Sequence, residues 1–176
     1  IWTHLPGIDM DPEKLAEETY RFFKTYDTDL IKTMNNGMYA IEDFGCEIDY
    51  SEIRLGGVAK LVSTPVNSIE DWKKIKPKNL SDCKAIQREL YSLRLLMDLT
   101  KKDDVPVIFT VFSPFTTANK LSGNRLLKDI ETGHTNEIHE ALKVITDLTI
   151  DLVKEVNRLG CDGVFFASQM SSYDVT

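Results

Sequence analysis

The sequence predicts an α/β fold of the (β/α)8 barrel type, of which the chain covers about the first four strand–helix units. Three observations carry that expectation. VIFTVF, residues 107–112, is aliphatic or aromatic except at Thr110, as a strand buried on both faces of a parallel sheet requires. Strand-like runs alternate with amphipathic helical ones, the order that builds βαβ units. Small polar residues crowd the ends of the strand-like runs, where α/β folds place their sites.

The elements follow in chain order. IWTH is a short candidate strand ended by His4, where LPG turns the chain away. Asp11 caps a helix that opens on Pro12 and is striped by Leu15, Thr19, Phe22, Phe23 and Tyr26. DLIKTM is the second strand. Roughly 45 residues then precede the next long helix, far beyond an ordinary βα loop, so an insertion is expected. Within it EIDYSEIRLGGVAKLVSTPV, at about residues 46–66, reads as a β-hairpin broken by Gly56 and Gly57, and IEDWKKI as a short helix. The hairpin is either a lid over the strand ends or a packing ornament on the rim. Ser81 and Asp82 open a helix striped by Ile86, Leu90, Leu93 and Met97. Pro106 introduces the third strand, VIFTVF. A long helix follows, marked by Ile138, Leu142, Ile145, Leu148, Leu152, Val156 and Leu159 and stopped by Gly160; GVFFASQ is the fourth strand.

Residues 1–176 read as a single domain. A complete barrel of this type needs about 250 residues, so the expectation is the N-terminal half of a longer barrel, or a half-barrel that pairs with a second copy to hide its sheet edges.

Composition narrows the function classes. A formal charge of −7 argues against a phosphate-tracking surface and so against nucleic acid as a partner. No apolar run approaches the ~20 residues of a membrane span, and residues 1–10 lack a leader pattern. Cys46, Cys83 and Cys161 are widely spaced, which suits reduced thiols in the cytoplasm and offers no zinc-type pair. His134 and His139 stand five apart and do not share a helix face, so no metal site is expected here.

Alternation selects the candidate site residues. In DLIKTM, Lys32 opposes Ile31 and Thr33, and an ammonium wedged under a helix layer is costly, so Lys32 points to the interior. There it binds a substrate carboxylate, acts as base or nucleophile, or pairs with a neighbouring carboxylate. His4 and Gln169 close strands at the same end; Lys32 and His4 are the catalytic candidates. Thr110 is the polar side chain of VIFTVF and faces the cavity or a local backbone group. Ser113, Thr116, Thr117 and Asn119 follow it. A helix starting at Thr116 directs free N–H groups at an anion over the strand ends; ordinary capping is the alternative. Asn35, Thr110, Ser113, Thr116, Asn119 and Gln169 are the binding candidates for a small-molecule substrate.

The segments YDTDLIK, IEDFGCEI, VIFTVFSPFTTANKLSG and GCDGVFFASQ, in this order and spacing, resemble the uroporphyrinogen decarboxylase superfamily, which includes the corrinoid:thiol methyltransferases. The resemblance implies a barrel with its cleft at the C-terminal strand ends and, by the family's name, decarboxylation of tetrapyrrole acetate side chains in porphyrin biosynthesis. It implies a tetrapyrrole or corrinoid-related ligand, and a non-catalytic half-barrel that only binds such a ligand is the alternative to an enzyme. Three family groups are replaced: the arginine-rich turn reads HLPGID, the aspartate after the second strand falls near Asn35 and Asn36, and the tyrosine after the proline turn falls at Lys120. No arginine stands at a predicted strand end. Because the family's substrate carries an acid on every side chain and calls for fixed cations, no turnover of uroporphyrinogen by this chain alone is expected. The methyltransferase branch implies a zinc-held thiolate whose ligands lie in the second half of the barrel. No cofactor is therefore expected in this portion, with zinc possible only through residues beyond it.

Overall fold

The computed structural model describes residues 3–55, 59–133 and 135–171. Among these the elements run α1 (Pro12–Tyr26), β1 (Ile31–Lys32), α2 (Tyr39–Glu42), β2 (Glu47–Asp49), β3 (Lys60–Ser63), α3 (Lys84–Leu99), β4 (Val107–Phe112), α4 (Pro114–Leu121), α5 (Leu126–Glu131), α6 (Thr135–Arg158) and β5 (Gly163–Ala167). Short 3-10 turns cover Ile53–Leu55, Ile69–Lys74 and Leu80–Asp82.

β1, β4 and β5 form a parallel sheet in the order β1-β4-β5, with Ile31 beside Val107, Lys32 beside Ile108 and Thr110 beside Phe165. This is the α/β pattern expected, but the described strands form an open sheet and close no barrel. The expected first strand is not seen: Thr3 and His4 are irregular, and Ile1 and Trp2 lie outside the described residues. DLIKTM contributes only two strand residues. Side chains extend its pairing, as the Thr110 N–H donates to Thr33 Oγ1 at 2.9 Å and Thr110 Oγ1 donates to the Thr33 carbonyl at 3.0 Å. These hydroxyls satisfy groups that a longer ladder would have paired.

One face of the sheet is the core. Ile31, Val107, Phe109 and Val111 are at most 3% exposed and pack with Leu90, Leu93 and Leu96 of α3 and with Ile145, Leu148 and Leu152 of α6. α1 starts as its sequence predicts, with the Asp11 carboxylate accepting the Lys14 N–H, and ends at Asp27 in the left-handed region. α6 ends at Arg158 and is followed by Gly160, whose φ of +88° suits a residue without Cβ.

The insertion is a hairpin, β2 antiparallel to β3, with the tip residues 56–58 outside the described set. Its helix is a 3-10 turn whose Trp72 is buried and donates to Asp129. Ser81 and Asp82 do not cap α3. Asp43, at the end of α2, does so from a distant segment, its carboxylate accepting the N–H groups of Ala85 at 3.0 Å and Ile86 at 3.1 Å. α4 starts at Pro114 rather than Thr116, because Ser113 is its N-cap and accepts the Thr116 N–H. α2 and α5 were not expected: each is under two turns, too short to leave a periodic stripe. No helix among the described residues is long and apolar enough to cross a membrane.

Candidate functional site

The other face of the sheet opens on a cavity of about 730 Å³ at the C-terminal strand ends. Parallel register puts Lys32, Thr110, Phe112, Phe165 and Ala167 on this face, opposite the core residues, and all five line the cavity. The loop after β1 adds Thr33, Asn35, Gly37 and Met38, α4 adds Lys120, and His4, Ser168 and Gln169 complete the rim.

Two lysines dominate its electrostatics. Lys32 Nζ lies 4.5 Å from the centre of the Phe165 ring, and Lys120 Nζ lies 4.7 Å from that of Phe112 while donating to the Gly37 carbonyl at 3.1 Å. The aromatic faces stabilise the ammonium groups in part. Burial still lowers the pKa of both below the ordinary lysine value. Among the described residues no Asp, Glu or Arg lines the cavity.

A hydrogen-bond chain runs behind this wall. Asn35 Oδ1 accepts from Thr33 Oγ1, and Asn35 Nδ2 donates to Glu89 Oε2 at 2.9 Å. Glu89 is 1% exposed, and Arg88 Nε donates to its other oxygen at 3.1 Å. Burial raises the Glu89 carboxyl to about 7 against the opposing effects of Arg88 and Asn35. Arg88 also makes two bonds to Glu42. Tyr39, fully buried, donates to the Thr110 carbonyl at 2.9 Å, and burial raises its phenol far above the usual range.

Of the residues singled out from sequence, the cavity gathers Lys32, His4, Asn35, Thr110 and Gln169. Ser113, Thr116 and Asn119 do not line it. Ser113 caps α4 and donates to Thr116 Oγ1 at 2.9 Å; Thr116 Oγ1 accepts the Gln169 N–H at 3.0 Å; Asn119 donates to Asn124 at 2.8 Å. Ser113 and Thr116 thus serve the turn above β4 and the chain after β5. The hairpin contributes no described residue to the cavity. Lys120 was noted only as a replacement; one helical turn beyond the proline turn brings it over Phe112. Glu89 gave no sequence signal, since an acidic residue in a helix normally marks the solvent face.

The cysteines lie elsewhere. Burial pushes the Cys46 thiol up to about 11, and Cys161 Sγ donates to the Val107 carbonyl at 3.0 Å below β4. His139 is exposed on α6, and His134 lies outside the described residues. Among the described residues no group of three His, Cys, Asp or Glu side chains is placed to hold a metal.

The sequence profile of the family described as Uroporphyrinogen decarboxylase (URO-D) matches residues 3–174. The chain belongs to the URO-D family. No curated protein matches it. Among solved structures, a methyltransferase from Methanosarcina mazei superposes with a TM-score of 0.75 at 18% identity, over 99% of this chain and 54% of that one. This URO-D family chain thus spans about half the length of that structure and shares its fold.

Proposed function

We propose that this URO-D family chain forms one wall of the substrate cavity of a (β/α)8 barrel enzyme that acts on a small apolar acid. The observation that supports it is the convergence of Lys32 and Lys120 on one aromatic-walled cavity whose described lining holds no acid. Half-buried ammonium groups attract a carboxylate strongly, because little water screens them. Phe112, Phe165 and Met38 suit a flat ring.

The reaction in this reading is the family's carboxy-lyase step on a ring-borne carboxymethyl arm. The bond from the arm's carbon to its carboxylate breaks, the electron pair stays with the carbon through the ring, carbon dioxide leaves, and the carbon takes one proton. Lys32, acidified by burial, supplies that proton, with His4 at the rim as its link to solvent. Asn35, Thr110 and Gln169 orient the ring. Two lysines match a substrate with fewer acidic arms than uroporphyrinogen. Outward-facing Val164 and Phe166 on β5 suit further strands or a second copy along that edge. Buried free thiols suit a reducing, cytoplasmic setting.

Titration with porphobilinogen and coproporphyrin, followed by fluorescence or calorimetry, tests the cavity; carbon dioxide release from porphobilinogen, which carries the carboxymethyl arm, tests the reaction. Lys32→Ala and Lys120→Met should each weaken binding about tenfold, equivalent to about 1.4 kcal/mol. Unchanged affinity in both variants overturns the reading.

Methyl transfer is the second reading, favoured by the fold shared with the Methanosarcina mazei methyltransferase. The described residues do not form a zinc set, so a zinc-held thiolate would depend on ligands outside them. Methyl transfer from a methylcobamide to a thiol, without carbon dioxide release from porphobilinogen, would select it.

A further inference from the structure

We infer that Glu89 is a positioning residue for the cavity, fixing the amide of Asn35 and through it the polar wall made by Thr33 and Thr110. The inference deepens the small-acid reading and rests on it for a ligand, while its geometry stands without one.

The wiring has a direction. An ionised carboxylate only accepts, so Glu89 Oε2 draws the NH2 side of Asn35 toward α3. Asn35 Oδ1 then faces Thr33 and takes its hydroxyl proton. Having spent that proton, Thr33 Oγ1 has lone pairs for the Thr110 N–H, while the Thr110 hydroxyl is committed to the Thr33 carbonyl. Three residues of the cavity wall, Thr33, Asn35 and Thr110, thereby hold one donor and acceptor pattern. A protonated Glu89 would donate instead, which allows the Asn35 amide to turn and reverses its bond to Thr33.

The groups around Glu89 permit such a proton change. Arg88 faces it from the same helix, and Glu42 of α2 shares that guanidinium at 2.8 and 3.1 Å. Tyr39, also on α2, interacts with Glu89 through its phenol, and Asp9 acts on Arg88 from the segment before α1. One arginine thus serves more than one carboxylate, and Glu89 is the most deeply buried of them.

The test reads the wall directly. The Asn35 side-chain NH2 resonance, followed by NMR without ligand, should move with a midpoint near neutrality in the native chain and stay flat in Glu89→Gln. Affinity for 2-naphthalenesulfonate, an aromatic anion whose charge is constant in this range, should fall about tenfold from pH 8 to pH 6 in the native chain, one unit of linked shift, and lose that dependence in Glu89→Gln. A flat Asn35 resonance in the native chain, or a step that survives in folded Glu89→Gln, overturns the inference. If that variant does not fold, the native carboxyl 13C resonance of Glu89 decides. A midpoint shared with the Asn35 amide supports the inference, and separate midpoints overturn it. An Asn35 step with no naphthalenesulfonate binding at any pH supports the positioning role and overturns the small-acid reading instead.

Discussion

Trp72 donates its indole N–H to the carboxylate of Asp129 at 2.9 Å, and both residues are at most 2% exposed. This bond ties the 3-10 turn of the insertion to α5, and Arg125 holds the other carboxylate oxygen at 3.0 Å. Trp72→Phe keeps most of the buried ring area and deletes the donor, leaving Asp129 short of one partner. The expected cost is about 1–3 kcal/mol, as for a buried acceptor left unsatisfied. A lower urea midpoint with unchanged slope would record it.

Asp43 caps α3 from outside the helix, so its loss should resemble the loss of a local N-cap. Asp43→Ala is expected to destabilise by about 1 kcal/mol, and Asp43→Asn, which keeps an acceptor, by less. Equal denaturation midpoints for the native chain and both variants would refute the role.

Ser113 and Thr116 were site candidates by sequence; in the structure Ser113 caps α4 and Thr116 Oγ1 accepts the Gln169 N–H. Ser113→Ala should therefore cost about 1 kcal/mol of stability while leaving affinity for coproporphyrin unchanged. A large loss of affinity at full stability would return Ser113 to the site.

Lys120 carries a burial penalty on its charge, and the sign follows from linkage. Its pKa is lower folded than unfolded, so its charged form weighs against the fold at neutral pH, and stability recovers as pH rises through the folded value toward the unfolded one. Lys120→Met should thus hold or raise stability at pH 7 while weakening anion binding. Loss of both together would make Lys120 structural.

Glu89 has the opposite charge and the opposite consequence. Its folded pKa, about 7, lies above the ordinary glutamate value of 4.5, so the folded chain binds the proton more tightly. Its contribution is fully present below the unfolded value and is lost as pH rises from there through about 7. Glu89→Gln should remove that decline, measured as urea midpoints between pH 4.5 and 8. A parallel decline in the variant would assign the pH dependence to other groups.

Local chemistry made much of this legible in advance. Asp11 and Pro12 announce α1, the stripe from Ile138 to Leu159 announces α6, and alternation around Lys32 points it to the face that carries the cavity. The polar run after β4 misled for a physical reason. Serine and threonine have the same composition signal whether they cap a turn or meet a ligand, and only the partner atoms separate the two. His4 reached the cavity without the strand that was expected to carry it.

By itself, the sequence determined the periodic helices, the buried strand β4, the hairpin and the inward lysine, because each follows from residue spacing within a single element. Tertiary structure alone decided that Lys120 joins Lys32, that Asp43 caps α3 and that Glu89 sits behind Asn35. Those pairings join residues far apart in the chain, and no local pattern encodes which distant partner a buried charge will meet.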